Sequence, residues 1–195
     1  MNARCSVFIA TSLDGFISRP DGSIDWLNAA NSAVPPGEDC GYSEFIRTVD
    51  ALVMGRNTFE LALRFEEWPY PQTRVVVLTS RPLPVHPSLP PLVTSSSETP
   101  TKLIARLTAE GCSHLYIDGG KTIQAFLAAG LIDQITITVV PVLLGQGRPL
   151  FGALPFDRVF TLQSSRAYPF GFVQSTYHAG LTPNHSFQRT ASGGR

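Results

Sequence analysis

Short apolar runs rich in Val and Ile recur along the chain, at residues 5–10, 51–54, 75–78, 115–117 and 135–140. Runs of this length suit strands buried on both faces of a sheet. Between them, apolar positions fall at spacings of three and four. Residues 42–49 form one such stretch, and residues 57–65 another, with Leu61 and Phe65 following Asn57 at successive four-residue steps. In 101–109, Leu103, Ile104 and Leu107 share a face; in 121–129, Ile123, Phe126 and Leu127 do. Four helices are predicted. Strands alternating with helices predict an α/β fold with a mainly parallel, doubly wound sheet. Residues 159–165 and 172–178 are two more strands with no helix between them. The turn Tyr168-Pro169-Phe170-Gly171 predicts an antiparallel hairpin at one edge.

Two segments break the pattern. Residues 81–101 hold Pro82, Pro84, Pro87, Pro90, Pro91 and Pro100. They read either as a linker between two domains or as a long surface loop with a short strand near Leu92 and Val93. The loop is preferred, because neither half alone supplies a full set of strands, and a single domain over residues 1–181 is expected. Residues 182–195 are polar and without period, and a disordered tail is expected there.

Composition narrows the class. The 195 residues are 43% hydrophobic, as in a globular protein, and 15 basic residues balance 15 acidic ones. Without a basic stripe, nucleic acid and anionic membrane are not expected partners. No run is long enough to span a membrane. Cys5, Cys40 and Cys112 are odd in number and fit no zinc spacing, so no metal is expected and a reducing, cytoplasmic setting is.

In an open parallel sheet, ligands bind at the carboxyl ends of the strands. Here the strand ends are followed by Thr11-Ser12-Leu13-Asp14-Gly15-Phe16-Ile17, by Gly55-Arg56-Asn57-Thr58, by Thr79-Ser80-Arg81, by Asp118-Gly119-Gly120-Lys121-Thr122, and by 141–147. Glycine, hydroxyl or cation appears at each. Gly120-Lys121-Thr122 lacks the earlier glycine of a triphosphate-binding loop, and Gly119-Gly120 does not continue as GxGxxG. A glycine turn at a helix start still exposes unpaired N–H groups to an anion. Arg56 and Arg81 each follow a strand directly. Two guanidinium forks near one adenosine ribose favour a ligand with a 2′-phosphate, NADPH over NADH.

At these residues the sequence resembles a known family. Residues 12–17, Asp21-Gly22-Ser23-Ile24-Asp25-Trp26-Leu27, Val53-Met54-Gly55-Arg56-Asn57-Thr58-Phe59-Glu60, Asp118-Gly119-Gly120, Gly130-Leu131-Ile132-Asp133 and 141–147 are similar, in this order, to the dihydrofolate reductase-like superfamily. Within it they look most like the reductase domain at the C-terminus of the riboflavin-pathway bifunctional deaminase–reductase. The resemblance covers about residues 6–178 and includes no zinc-deaminase signature. It implies a reductase that takes hydride from NADPH to a small heterocyclic or ribosylamino-pyrimidine-like substrate, as a 5-amino-6-(5-phosphoribosylamino)uracil reductase does. It places Gly55, Arg56, Asn57 and Thr58 at the adenosine side, with Thr79, Ser80 and Arg81 at the adenine and 2′-phosphate. Gly119, Gly120, Lys121 and Thr122 would receive the pyrophosphate, and Ala10, Thr11, Gly15 and Ile17 would line the nicotinamide. Asp14 is the expected catalytic acid, and Ser23 and Trp26 look like substrate-side residues.

The sequence also departs from the pattern. Dihydrofolate reductases proper carry an acid on the helix before the Met-Gly-Arg strand. By spacing that place falls on Asp39 without a gap and on Gly41 with one, which puts folate reduction in doubt. Segment 28–38, with Pro35-Pro36-Gly37, is where substrate specificity is sought. Two classes of function remain: an NADPH-dependent oxidoreductase, favoured by Asp14 beside Gly15, or a non-catalytic binder of NADPH or another small molecule on the same fold. The resemblance, the apolar run 135–144 and the edge hairpin after it imply a homodimer.

Overall fold

The computed structural model describes residues 2–84 and 89–180. In chain order the elements are β1 (Arg4–Ser12), β2 (Phe16–Ser18), α1 (Asp25–Asn31), α2 (Tyr42–Ile46), β3 (Ala51–Gly55), α3 (Arg56–Ala62), β4 (Arg74–Leu78), β5 (Val93–Ser96), α4 (Pro100–Ala109), β6 (His114–Asp118), α5 (Gly120–Ala128), β7 (Gln134–Val140), β8 (Arg148–Pro149), β9 (Phe160–Ala167) and β10 (Val173–Ala179). Eight strands make one sheet in the order β5-β4-β3-β6-β1-β7-β10-β9. The first six are parallel; β10 runs antiparallel to β7 and β9, forming the expected edge hairpin.

Alternation along the strands sorts the core into two layers. Val7, Val53, Val76, Leu115 and Ile117 face one side, where α4 packs Leu103 and Leu107 and α5 packs Ile123 and Phe126. Leu52, Met54, Val75, Val77 and Tyr116 face the other, against Phe59 of α3 and Tyr42 and Phe45 of α2. Both faces are covered, so the sheet is doubly wound, and the continuous apolar runs follow from that. Each large side chain fully buried in these layers contributes about 1.5–3 kcal/mol relative to exposure.

The crossover that matters for function is the placement of β6. It follows β5 in sequence but lies between β3 and β1, with Leu115 in register with both Ala51 and Cys5. Its amino end is pinned by buried His114, whose ring meets Ser6 Oγ at 2.8 Å and the Thr48 carbonyl at 2.9 Å. Its carboxyl end therefore stands between those of β3 and β1.

Several boundaries differ from the pattern reading. β1 runs on to Ser12 because β7 pairs with it as far as Val140. α2 stops at Ile46, where Thr48 Oγ1 takes the Phe45 carbonyl. The strand expected near Leu92 is β5, which extends β4 and makes the sheet edge. α1 and the two-stranded β2–β8 sheet carry no periodic signal long enough to read. The tail expected at 182–195 lies outside the described residues.

Candidate active site

Two helices begin side by side at the carboxyl ends of β3 and β6. Gly55 is the N-cap of α3 and Gly119 that of α5, and no side chain caps either helix. Gly119 has φ +87°, a conformation that L side chains rarely adopt. A Cβ there would also run into the Thr58 hydroxyl, while a Cβ on Gly55 would lie 2.9 Å from Thr122 Oγ1. The two helix starts thus interlock, each glycine accommodating a threonine of the other helix. Gly120 faces Ile17, whose Cδ1 would sit 2.9 Å from an added Cβ. Gly119, rather than Gly120, is the residue with positive φ. Uncapped first-turn N–H groups, with exposed Lys121 beside them, suit an anion.

Arg56 crosses from the end of β3 to the end of β4. Its Nε donates to Glu60 Oε1 at 2.8 Å, and its Nη1 donates to the Thr79 hydroxyl at 3.3 Å and to the Arg81 and Pro82 carbonyls at 3.2 and 3.0 Å. It therefore shapes the loop that presents Ser80 and Arg81, both exposed. Thr79 Oγ1 closes that loop by accepting the Arg81 N–H at 3.1 Å. Asn57 is exposed on the first turn of α3.

Asp14 lies beyond β1 and reaches across to the segment after β7. Its carboxylate accepts the Ser12 hydroxyl at 2.6 Å and the N–H groups of Leu144 at 3.1 Å and Gly145 at 2.7 Å. The Ser12 hydroxyl, first, and these backbone donors hold its carboxyl below the usual range. Asp14 is thus ionised near neutrality, a fixed negative charge and a clasp on the loop. A Cβ on Gly15 would meet open space, so this turn leaves the surface beside the end of β1 clear. Thr11 is buried and Ala10 and Ile17 partly so, around the same end.

The acid that ends β6 stands in the Asp118-Gly119-Gly120 motif but was given no role of its own. Asp118 follows Tyr116 on the α2–α3 side of the sheet, and its Oδ1 accepts the Gly119 N–H at 2.8 Å. Crowding by protein raises its carboxyl to about 6, against the lowering effect of that one N–H. Burial first, and the charge of Asp118 second, push the Tyr42 phenol up to about 12 and raise those of Tyr70 and Tyr116. Tyr116 donates to the Phe8 carbonyl at 2.8 Å. The only signal in the sequence was an acid at a strand end before two glycines.

The substrate-side residues divide. Trp26 of α1 is buried with Val140, Tyr168 and Phe172, and its Nε1 has no hydrogen-bond partner among the described residues. Ser23 serves its own turn, its N–H donating to Asp21 and its hydroxyl to Asp25. Asp39 is exposed and spends its carboxylate on the start of α2, accepting the Gly41 and Ser43 N–H groups at 2.9 and 2.8 Å. Cys40, next to it, has φ +54° and is the one non-glycine with positive φ among the described residues.

Comparison with known proteins places this arrangement. A family model, the RibD C-terminal domain, matches residues 5–173. The chain belongs to the RibD C-terminal domain family. The match runs from β1 to the first residue of β10 and includes every strand end described above. An uncharacterized Bacillus subtilis protein, YwjB, is 36% identical over 171 residues, 86% of this chain and 94% of that one. A solved Shewanella sp. PV-4 structure, whose name proposes a part in riboflavin biosynthesis, is 41% identical with TM-score 0.84, covering 91% of this chain and 99% of that one. The Thermotoga maritima diaminohydroxyphosphoribosylaminopyrimidine deaminase/5-amino-6-(5-phosphoribosylamino)uracil reductase is 16% identical with TM-score 0.66. This chain covers 57% of that longer protein and is itself 92% covered.

The candidate site lies away from a surface cavity at the other end of the sheet. A cavity of about 460 Å³ opens at the amino ends of the strands, between Asn2, Arg4, Gly130 and Asp133. It shares no residue with the carboxyl-end site and brings no acid–base pair to a helix start. Among the described residues, no helix is long and apolar enough to cross a membrane, and no cluster of three metal-ligating side chains is present.

Proposed function

We propose that this chain is an NADPH-dependent reductase that passes hydride to a small heterocyclic or ribosylamino-pyrimidine-like substrate. The observation that carries the reading is the pair of interlocked, uncapped helix starts at Gly55 and Gly119, between the ends of β4 and β1. Their geometry fits a pyrophosphate, held by first-turn N–H groups of Gly120, Lys121 and Thr122. Gly55, Asn57 and Thr58 flank the adenosine side, and Thr79, Ser80 and Arg81 take the adenine and 2′-phosphate. Arg56, tied to the Arg81 and Pro82 carbonyls, sets that loop in place. Ala10, Thr11, Gly15 and Ile17 border the nicotinamide.

NADPH, when bound, supplies the hydride; the protein's part is positioning, charge and proton. Asp14 keeps a negative charge at the nicotinamide end and holds the Leu144–Gly145 loop over it. Asp118, on the sheet face shared with Ala10, holds the proton. At a carboxyl pKa of about 6, roughly one molecule in ten is protonated at pH 7. That supply at a site edge is what general acid catalysis asks for, while Asp14 beside Gly15 favours an enzyme over a binder without chemistry. The test is calorimetric titration of purified protein with NADPH, followed by a screen of NADPH oxidation against pyrimidine, pterin and carbonyl compounds. Absence of NADPH binding would overturn the reading.

The chain also pairs as a homodimer in this reading. β9 is an edge strand exposed along Thr161–Ala167, and Phe156, Val159 and Leu162 expose apolar surface beside it. Such an edge needs cover.

A further inference from the structure

The two-stranded β2–β8 sheet lies over the start of α5, and it carries a cation that the reductase reading leaves without a role. Leu150, just after β8, donates its N–H to the Gly15 carbonyl at 3.0 Å. Gln124, on the second turn of α5, donates its side-chain amide to the Pro149 and Leu150 carbonyls at 3.1 and 3.2 Å. A Cβ on Gly120 would lie 2.9 Å from Ile17 Cδ1 of β2 and 3.6 Å from the Pro149 carbonyl of β8. The strand pair is thus bolted to the helix start that suits an anion. Arg148 is the residue before Pro149, paired in register with Ser18.

The Arg148 side chain is exposed but held. Its Nε donates to the Pro20 carbonyl at 3.1 Å. Its guanidinium lies along Gly22, where a Cβ would come within 3.0–3.3 Å of Nη1, Cζ and Nη2. Gly22 has φ +95°, and its N–H bonds the Arg19 carbonyl at 2.9 Å. The turn that receives the guanidinium is therefore built on a residue without a side chain. Gly147 lets β8 approach β2 closely, since a Cβ there would run into the Ser18 carbonyl and the Phe16 side chain. Two glycines and a carbonyl fix the cation in place. An arginine fixed beforehand loses less side-chain freedom when it binds.

Its charge is not spent within the protein. Near the carboxyl ends of the strands, Arg56 is paired with Glu60 and Arg19 with Asp25, and Arg81 stands on the loop after β4. Arg148 makes no ion pair among the described residues, and its Nη1 and Nη2 meet no acceptor there. Tying the turn at residues 19–23 uses Nε alone and leaves those two nitrogens without a role. A guanidinium grips a phosphate oxyanion through paired N–H donors of this kind. Lys121, on the first turn of α5, is the other exposed cation beside the same helix start.

We infer that Arg148 is a further cofactor-binding residue, whose Nη1 and Nη2 hold the pyrophosphate against the start of α5 from the β8 side. The inference rests on the NADPH reading. Titrate the full chain and its Arg148→Gln variant by calorimetry with NADPH, NADH and ADP-ribose, which share the pyrophosphate and differ at the 2′-phosphate and the nicotinamide. The variant is expected to bind all three about ten- to a hundredfold more weakly, the worth of a charge-assisted contact. The gap should narrow as salt is raised to about 1 M, where exposed charges are screened. A gap that salt leaves unchanged makes Arg148 a packing residue of its turn and overturns the inference. So does a loss confined to NADPH, which would assign the fork to the 2′-phosphate. Uridine 5′-monophosphate, titrated at saturating NADPH, probes a phosphate outside the cofactor, and a loss confined to it would place the fork on the substrate and overturn the inference as well. If Arg148→Gln does not fold, Arg148→Lys takes its place; it keeps the charge and loses the two-point fork, and unchanged affinity for the three ligands in it has the same force. Absence of NADPH binding by the unaltered chain removes the reading and the inference together, whereas binding that Arg148→Gln leaves intact removes the inference alone.

Discussion

The carboxylate of Asp14 accepts the backbone N–H of Gly145 at 2.7 Å, joining positions 131 residues apart. That bond, with those from Leu144 and Ser12, ties the turn after β1 to the loop after β7. Asp14→Asn can keep one acceptor oxygen for the Leu144 and Gly145 N–H groups and turn its NH2 to the Ser12 hydroxyl, but it removes the negative charge. Turnover is expected to fall about a hundredfold while NADPH affinity changes little, since the proposed pyrophosphate site lies at other strands. Single-turnover oxidation and calorimetry on the same sample check this. Near-normal turnover would remove Asp14 from the reaction, and loss of NADPH would make its role that of the turn alone.

Gly119 and Gly120 are adjacent but answer to different constraints. Gly119→Ala takes on a positive φ, at about 1–2 kcal/mol, and a clash with Thr58 of the order of 1–3 kcal/mol for overpacking. It should lower the urea midpoint and weaken NADPH together. Gly120→Val meets the movable end of Ile17 and keeps an ordinary φ. It should fold, with circular dichroism unchanged, and lose NADPH because the branched side chain crowds the anion's approach. Intact NADPH affinity in Gly120→Val would sink the pyrophosphate assignment.

How much of this was legible in the sequence follows from the range of each interaction. The central strands and the faces of α4 and α5 were readable because burial on both sides forces continuous apolar runs and helical spacing. The strand ends were readable because glycine and cation stand next to those runs. The interlock of Gly119 with Thr58 was not, since it depends on β6 entering the sheet between β3 and β1. Asp118 stood in view as an acid before two glycines. Its raised carboxyl comes from burial, which the local sequence does not show. Cys40 carried no signal either; Asn, Asp and Gly are the residues expected at positive φ. β2 and β8 pair three residues with two and leave no period to detect.

Arg56 and Arg81 were paired by position and separate by role. Arg81 is exposed on the loop that Arg56 holds. Arg81→Ala is expected to cut the preference for NADPH over NADH by roughly ten- to a hundredfold, the worth of a charge-assisted contact, with stability unchanged. Arg56→Ala should weaken both cofactors by releasing the loop. An unchanged preference in the double variant would count against 2′-phosphate recognition here.

The unpaired edge at β9 leads to a prediction on assembly. Sedimentation at micromolar concentration should give a dimer, and Leu162→Lys or Phe156→Lys should give a monomer. Charge on an edge or exposed apolar patch opposes association without touching the core. A monomer in the unaltered chain refutes the assembly.

Asp118 sets the expected pH behaviour of both rate and stability. Its folded carboxyl, at about 6, lies above its ordinary value of about 3.9. Above pH 6 the folded protein carries a crowded carboxylate that the unfolded chain solvates freely, so the charge opposes folding there. As pH falls through 6 the folded form takes up a proton first and gains stability. Below about 4 both states are protonated and no further gain follows. Asp118→Asn should therefore resist denaturant better than the unaltered chain above pH 6 and match it below about pH 4. Turnover should move the other way. With Asp118 as proton donor, the rate of the chemical step declines above pH 6 in the unaltered chain, by up to tenfold per pH unit. The Asn variant should be slow at every pH and lack that decline. A stability curve that shifts as stated, with a rate profile that keeps its fall in Asp118→Asn, would make Asp118 a structural acid and assign the proton to another group.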